Sequence, residues 1–203
     1  MKKTVVLNSG GFDSTILLKY LKDDYRAELH SLYFHYGQLN DSLASEFAAK
    51  NAGKYCKSHT EITIPKIAWT KSAYYSDSYE SFDERYLEAR NLIFASYAVS
   101  LAQSIGADSV AMALIKDGVN MYPDTSRRFA KKLDRLCREF GVSFKTPFID
   151  IYKDDLFNSA AAFKVDPDSF LSCDVPVNGK PCGECPDCKA ISDYRERYNF
   201  LNK

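Results

Sequence analysis

The feature that most limits the fold sits at the start of the chain. Thr4, Val5, Val6, Leu7 and Asn8 make a short apolar run rich in β-branched residues, which reads as a buried strand. It passes at once into Ser9-Gly10-Gly11-Phe12-Asp13-Ser14, after which Leu17, Leu18 and Leu21 recur at helical spacing. A strand that turns through two glycines straight into a helix is the first half of a strand–helix–strand unit, and such units build parallel sheets. The glycines permit tight curvature and close approach by a ligand. Unpaired amides at the helix start favour an anion such as phosphate, and the hydroxyls of Ser9, Ser14 and Thr15 add donors. A Walker loop would carry Lys followed by Ser or Thr. Asp13-Ser14 stands there instead, and a carboxylate beside phosphate makes sense with Mg2+ between them.

The same alternation continues. Further strands are expected at about 28–36, 60–64, 108–114 and 142–146, and helices at 15–21, 42–54, from about 87, at 126–140 and at 153–163. In the helix after residue 42, Leu43, Phe47, Ala48 and Ala52 are expected to face inward. In the one after 87, Phe94, Ala95, Ala98, Leu101, Ala102 and Ile105 form an apolar stripe that Gly106 is placed to cap. Residues 67–86 lack periodicity and read as a surface loop. The pattern predicts an α/β fold, a parallel five-stranded sheet with helices on both faces. Ligands of such sheets bind at the carboxyl ends of the strands. A boundary near Pro167 divides a core at 1–166 from a cysteine-rich segment and helix at 167–203.

Lys+Arg and Asp+Glu number 27 each among 203 residues. No global positive field therefore draws the chain toward nucleic acid or acidic lipid. No apolar run approaches the roughly 20 residues that cross a bilayer, and the run after Lys2-Lys3 is shorter than the about 7–15 residues of a signal peptide. A cytoplasmic enzyme is expected.

Six cysteines in such a chain favour metal or redox chemistry over a disulfide framework. Cys56 and Cys137 stand alone, whereas Cys173, Cys182, Cys185 and Cys188 cluster in two overlapping C-x-x-C knuckles plus a distant fourth thiol. That set can close a tetrahedral Zn2+ shell with no open position, so the metal is expected to be structural. An iron–sulfur cluster, faintly suggested by Cys185-Pro186, and redox disulfides are the alternatives.

Ser-Gly-Gly-x-Asp-Ser after an N-terminal strand resembles the ATP loop of the N-type ATP pyrophosphatases, or PP-loop enzymes, of the HUP-like class. Together with C-x8-C-x2-C-x2-C at the far end, the chain resembles the 7-cyano-7-deazaguanine synthase family over nearly its whole length. The likeness includes Tyr36-Gly37-Gln38, Arg90-Asn91, Tyr122-Pro123-Asp124 and Thr146-Pro147. It implies ATP binding by Asn8, Ser9, Gly10, Gly11, Phe12, Asp13, Ser14 and Thr15. It implies catalytic roles for Asp13, Ser14 and Arg90, and acceptor contacts from Tyr36, Gln38, Arg90, Asn91, Asp117, Tyr122 and Asp124. The implied reaction adenylates 7-carboxy-7-deazaguanine, adds ammonia to give the amide, and uses a second ATP to give the nitrile. A homodimer is also implied. Taken singly, Arg90 also reads as a surface partner of Glu84 or Glu88, and Asp124 as the cap of the following helix.

The departures gather around the acceptor. Leu39 stands where the family has Arg, Glu88-Ala89 replaces Pro-Gly before Arg90, Asp117 is one position early, and Thr125 replaces Cys. The acceptor, the nucleophile or the endpoint can therefore differ. Sulfur-transfer enzymes share the loop but need a cysteine beside the nucleotide, and Cys56 and Cys137 read as buried small hydrophobes. An amidotransferase domain does not fit, which leaves free ammonia or a partner as donor. A nucleotide sensor would bind ATP without releasing pyrophosphate.

Overall fold

The computed structural model describes residues 2–23, 26–66, 72–75, 86–118 and 122–202. In chain order the elements are β1 (Lys3–Leu7), α1 (Phe12–Asp23), β2 (Glu28–His35), α2 (Asp41–Tyr55), β3 (Ser58–Thr63), α3 (Arg90–Ile105), β4 (Ser109–Ala111), α4 (Arg127–Glu139), β5 (Ser143–Lys145), α5 (Lys153–Ala162) and α6 (Pro186–Leu201). The five strands are parallel in the order β3-β2-β1-β4-β5. The chain's direction of growth reverses between β1 and β4. That pair flanks the crevice where doubly wound sheets place their ligand. Apart from residues 72–75 and 86, the expected loop at 67–86 lies outside the described residues.

Adjacent strand residues point to opposite faces, and Val5 and Val6 show this directly. Val5 packs with Leu32, Val110 and the alanines of α3, while Val6 packs with Leu17 and Leu18 of α1 and Phe157 of α5. Burying a Val or Leu fully contributes about 1.5–3 kcal/mol, so these two layers carry the fold. In α3 the residues Ala95, Ala98 and Ala102 have no exposed surface, with Phe94, Leu101 and Ile105 packed beside them. Gly106 ends the helix at φ 65°, the left-handed value expected of a glycine cap.

Two expectations shift. In α2 the deeply buried face is Ala44, Ala48, Asn51, Ala52 and Tyr55, with Leu43 and Phe47 only partly buried. Small residues are needed there because Gly10 abuts the helix backbone. A Cβ on Gly10 would lie 2.3 Å from the Ala44 carbonyl oxygen. β4 is also shorter than expected and ends at Ala111, opposite Val6, as β1 runs out toward the glycine turn. Residues 112–115 leave the ladder and line a cavity instead.

The C-terminal segment packs on the core through Tyr194. Its ring has no exposed surface and sits against Phe12, Phe157 and Phe170, and its hydroxyl donates to the Val165 carbonyl at 2.6 Å.

Candidate active site

A cavity of about 380 Å³ opens at the carboxyl ends of β1, β2 and β4. This is the size usual for small-molecule sites. One end is the turn after β1. Asn8 shapes it. The Asn8 Oδ1 accepts the Gly10 amide at 3.1 Å, and the Nδ2 donates to Ser31 Oγ and the Ala48 carbonyl. The first helical bond of α1 runs from the Thr15 amide to the Gly11 carbonyl at 3.0 Å. The amides of Phe12, Asp13 and Ser14 lie before it, in the turn whose N–H groups have no helical acceptor. Ser9 and Ser14 line the cavity with hydroxyls 3.2 Å apart.

Three loop residues also make structural contacts. Gly10 does not line the cavity; the close approach it permits is that of α2, and its φ is 73°. Thr15 turns away, its hydroxyl donating to the Gly11 carbonyl at 2.9 Å and accepting from Asn51 Nδ2 at 2.8 Å. Phe12 borders the cavity but packs edge-on against Phe157, Phe170 and Tyr194.

Asp13 faces the cavity, and its Oδ1 meets Lys153 Nζ at 2.6 Å. Sequence reasoning missed Lys153, which lines the same cavity. The available signal was its place as the first residue of the helix after β5, at the ligand-binding edge of the sheet. Asp117 is outside the cavity. Its carboxylate accepts the Lys153 backbone amide at 2.5 Å and so holds the start of α5.

The opposite end is aromatic and cationic. The Arg90 guanidinium lies over Tyr74 at 4.5 Å, with Tyr36 and Phe94 at 5.9 and 5.8 Å, and Nη1 donates to the Tyr36 hydroxyl at 3.5 Å. Burial raises the pKa of Tyr36, so its hydroxyl stays protonated. Arg90 opens α3 immediately after Ala89, which holds φ 52°. This chain thus keeps a left-handed backbone with Ala where glycine is easiest. Tyr122 lines the cavity and stacks on Tyr86 at 5.1 Å.

Asp124 lies outside the cavity, whereas Gln38 is in its wall. Asp124 is 6% exposed and does not line the cavity. Its Oδ2 accepts the Asn91 amide at 2.9 Å, and Asn91 Nδ2 donates to its carbonyl. It therefore caps α3, not α4, whose cap is Ser126 accepting from the Phe129 amide. Asn91 remains in the cavity wall. Gln38 borders the cavity, but its Nε2 donates to Tyr33, Phe34 and Asp41 and its Oε1 accepts the Tyr36 amide. It braces the turn that presents Tyr36.

Cys173, Cys182, Cys185 and Cys188 bring their sulfurs within 4.8 Å of one another, a group able to hold a metal ion. The amides of Cys182 and Cys185 donate to the sulfurs of Cys173 and Cys182 at 3.2 and 3.3 Å. The Cys173 thiol beside Cys185 holds the latter well below the usual thiol range, at about 4, so the group offers a thiolate to a cation. Cys185 precedes α6 and Pro186 begins it, which fixes the last knuckle on a helix start. Cys56 and Cys137 lie outside the cavity, and burial raises both thiols. Among the described residues no helix is long and apolar enough to cross a membrane.

Parallel order about β1, the phosphate-type turn that follows it and the cysteine group define a PP-loop α/β protein. The family described as "Queuosine biosynthesis protein QueC" matches residues 3–196, and the chain belongs to that family. Proteins named 7-cyano-7-deazaguanine synthase are similar along nearly their full length. One from Rickettsia bellii (strain OSU 85-389) is 29% identical, covering 98% of this chain and 96% of its own. One from Hydrogenovibrio crunogenus is 30% identical, covering 93% and 89%. Among solved structures, the U34-tRNA thiolase NcsA from Methanococcus maripaludis with its [4Fe-4S] cluster shares the fold. Its TM-score is 0.60 at 13% identity, with 98% of this chain and 71% of that one covered. A predicted subunit of tRNA methyltransferase from Methanocaldococcus jannaschii gives a TM-score of 0.55 at 18% identity, covering 80% and 75%.

Proposed function

We propose that the protein is an ATP-dependent carbon–nitrogen ligase acting on 7-carboxy-7-deazaguanine, with AMP and pyrophosphate as by-products. The observation that carries this reading is a single cavity with a phosphate-type turn and Lys153 at one end and the Arg90 aromatic wall at the other, in a chain of this family. The acceptor carboxylate oxygen attacks the α-phosphorus of ATP and pyrophosphate leaves. Ammonia then adds to the acyl carbon and AMP leaves, giving the amide. In a second round the amide oxygen takes an adenylyl group, and loss of AMP and two protons leaves the nitrile.

The amides at the start of α1 and the Lys153 ammonium face the charge that develops on the phosphates, where fixed donors lower a barrier most. Asp13 would hold Mg2+, which supplies further charge neutralisation when bound with the nucleotide. Arg90 would meet the acceptor carboxylate, and Tyr36 and Tyr74 would flank a flat ring. The cysteine group suits one Zn2+. Four sulfurs about 2.3 Å from one ion are about 3.8 Å apart, close to the 3.6 and 3.9 Å seen for Cys173–Cys182 and Cys182–Cys188. A four-iron cluster would hold them wider.

Thr125, at the family's Cys position, lies in the cavity wall. This favours a second reading, in which the product is the amide or a conjugate with another amine. One assay tests both. Purified protein with ATP, ammonia and 7-carboxy-7-deazaguanine should release AMP, and mass spectrometry of the product separates nitrile, amide and conjugate. AMP release no higher than without acceptor defeats the ligase reading.

A further inference from the structure

The segment between Phe170 and the first metal ligand is one wall of the cavity, pinned at both ends. The Leu171 amide donates to the Gly10 carbonyl at 2.9 Å, and the Cys173 carbonyl accepts Asn40 Nδ2 at 2.9 Å. The next residue, Asp174, also lines the cavity and is only 9% exposed. Its backbone amide donates to the Cys185 sulfur, and its carboxylate is close enough to act electrostatically on the Tyr36 hydroxyl. The metal group therefore delivers a buried carboxylate to the aromatic end of the cavity.

The donors suited to phosphate, Lys153 and the amides at the start of α1, stand at the other end, and the cation at this end, Arg90, lies over Tyr74. A carboxylate accepts hydrogen bonds and donates none. Beside rings that flank a flat heterocycle, it matches an edge carrying two adjacent donors, a ring N–H and an exocyclic amine, in bidentate fashion. Resting on the function proposed above, we propose that Asp174 is the specificity-determining residue that reads the N–H and 2-amino edge of a guanine-type acceptor, held in place by the metal-binding segment.

The test uses full-length, metal-replete protein and three acceptors: 7-carboxy-7-deazaguanine, its 2-desamino (hypoxanthine-type) form and its 2-oxo (xanthine-type) form. AMP release gives kcat and KM, calorimetry gives acceptor binding without turnover, and metal content is measured in parallel. The wild type should prefer the guanine-type acceptor over the desamino form by about 10- to 100-fold, the effect of a charge-assisted hydrogen bond. Asp174→Asn offers a donor where the 2-oxo group needs one. It should raise the preference for xanthine-type over guanine-type acceptor at least about 10-fold, leaving the KM for ATP and the metal content unchanged. A misfolded variant cannot produce such a gain.

A wild type that binds and uses the desamino and guanine forms equally overturns the proposal without any variant. So does an Asp174→Asn protein that weakens all three acceptors alike or keeps the original preference. Absence of AMP release with every acceptor would instead remove the ligase reading, and this proposal with it.

Discussion

Lys153 Nζ and Asp13 Oδ1 lie 2.6 Å apart, joining the first residue of α5 to the second residue of α1 beside the glycine turn that ends the cavity. Both side chains are about 30% exposed, at 29% and 31%. Such a pair contributes only about 0–1 kcal/mol to stability. Its value is positional, since Asp117 fixes the Lys153 backbone while the ammonium reaches the turn.

Lys153→Met should therefore lower kcat for AMP release by about 10²–10³-fold, the usual effect of removing a donor at developing charge. The thermal midpoint should move by no more than about 2–4 °C. Lys153→Arg should recover part of the rate. A variant that loses stability and activity in proportion would show the lysine to be structural only.

The strands, the helices and the loop were legible in the sequence because each rests on local pattern, and the strand–helix alternation implied the parallel sheet; the strand order was not. Val5 and Val6 show the alternation, Gly10-Gly11 the turn, and the alanine stripe of α3 the buried face. The positions of Asp117 and Asp124 outside the cavity were not legible, nor was the bracing done by Gln38 within its wall. The two aspartates bond to backbone contributed by distant segments, Asp117 to Lys153 and Asp124 to Asn91, whereas Gln38 holds the turn it belongs to through Phe34 and Tyr36. Nothing in spacing separates such a brace from a ligand contact. Lys153 escaped for the opposite reason. Its partner Asp13 is 140 positions away, and only the folded sheet brings the two helix starts together.

The two glycines of the turn should respond differently to alanine. At Gly10 a Cβ meets the Ala44 carbonyl at 2.3 Å and the Ala48 amide at 2.9 Å, and φ is 73°. Neither backbone can yield cheaply, so Gly10→Ala should cost about 2–4 kcal/mol in urea unfolding. At Gly11 the nearest atoms are Ser9 Oγ at 3.2 Å, on a rotatable side chain, and the Leu171 carbonyl at 3.3 Å. Gly11→Ala should cost about 1 kcal/mol or less yet weaken nucleotide binding, because Gly11 lines the cavity. Equal losses of stability in the two variants would contradict this division.

Metal analysis should find one Zn2+ per chain, and a strong chelator should destabilise the C-terminal segment while β1 to β5 stay formed. Ion binding by four thiolates is folding energy for the segment it closes. α6 also has Tyr194 locked against Phe12 and Phe157, so the loss should be partial, on the order of several kcal/mol. Cys182→Ser should reproduce it. Iron in place of zinc, with the visible absorbance of a cluster, would overturn the single-ion reading of the sulfur spacing.

Stability should also depend on pH through His35. Its Nδ1 lies 2.9 Å from Asp41 Oδ2 and its Nε2 2.8 Å from Glu61 Oε2, and only the doubly protonated ring can donate to both. Burial alone would lower its pKa, but the hydrogen bonds and charges of Asp41 and Glu61 outweigh burial and raise it above 6.5. Burial likewise pushes Glu61 up, yet His35, His59 and Ser45 outweigh it and bring its pKa below 4.5. A raised histidine stabilises fully below 6.5 and loses that contribution as pH climbs through its folded value. A lowered carboxylate stabilises above 4.5 and loses its contribution as pH falls through its folded value. The thermal midpoint should therefore plateau between these limits and decline on both sides. His35→Gln should flatten the alkaline decline. Because Asp41 also anchors Gln38, and Gln38 the Tyr36 amide, the same variant should raise the acceptor KM more than the ATP KM. An alkaline limb unchanged in His35→Gln would assign the titration to another group.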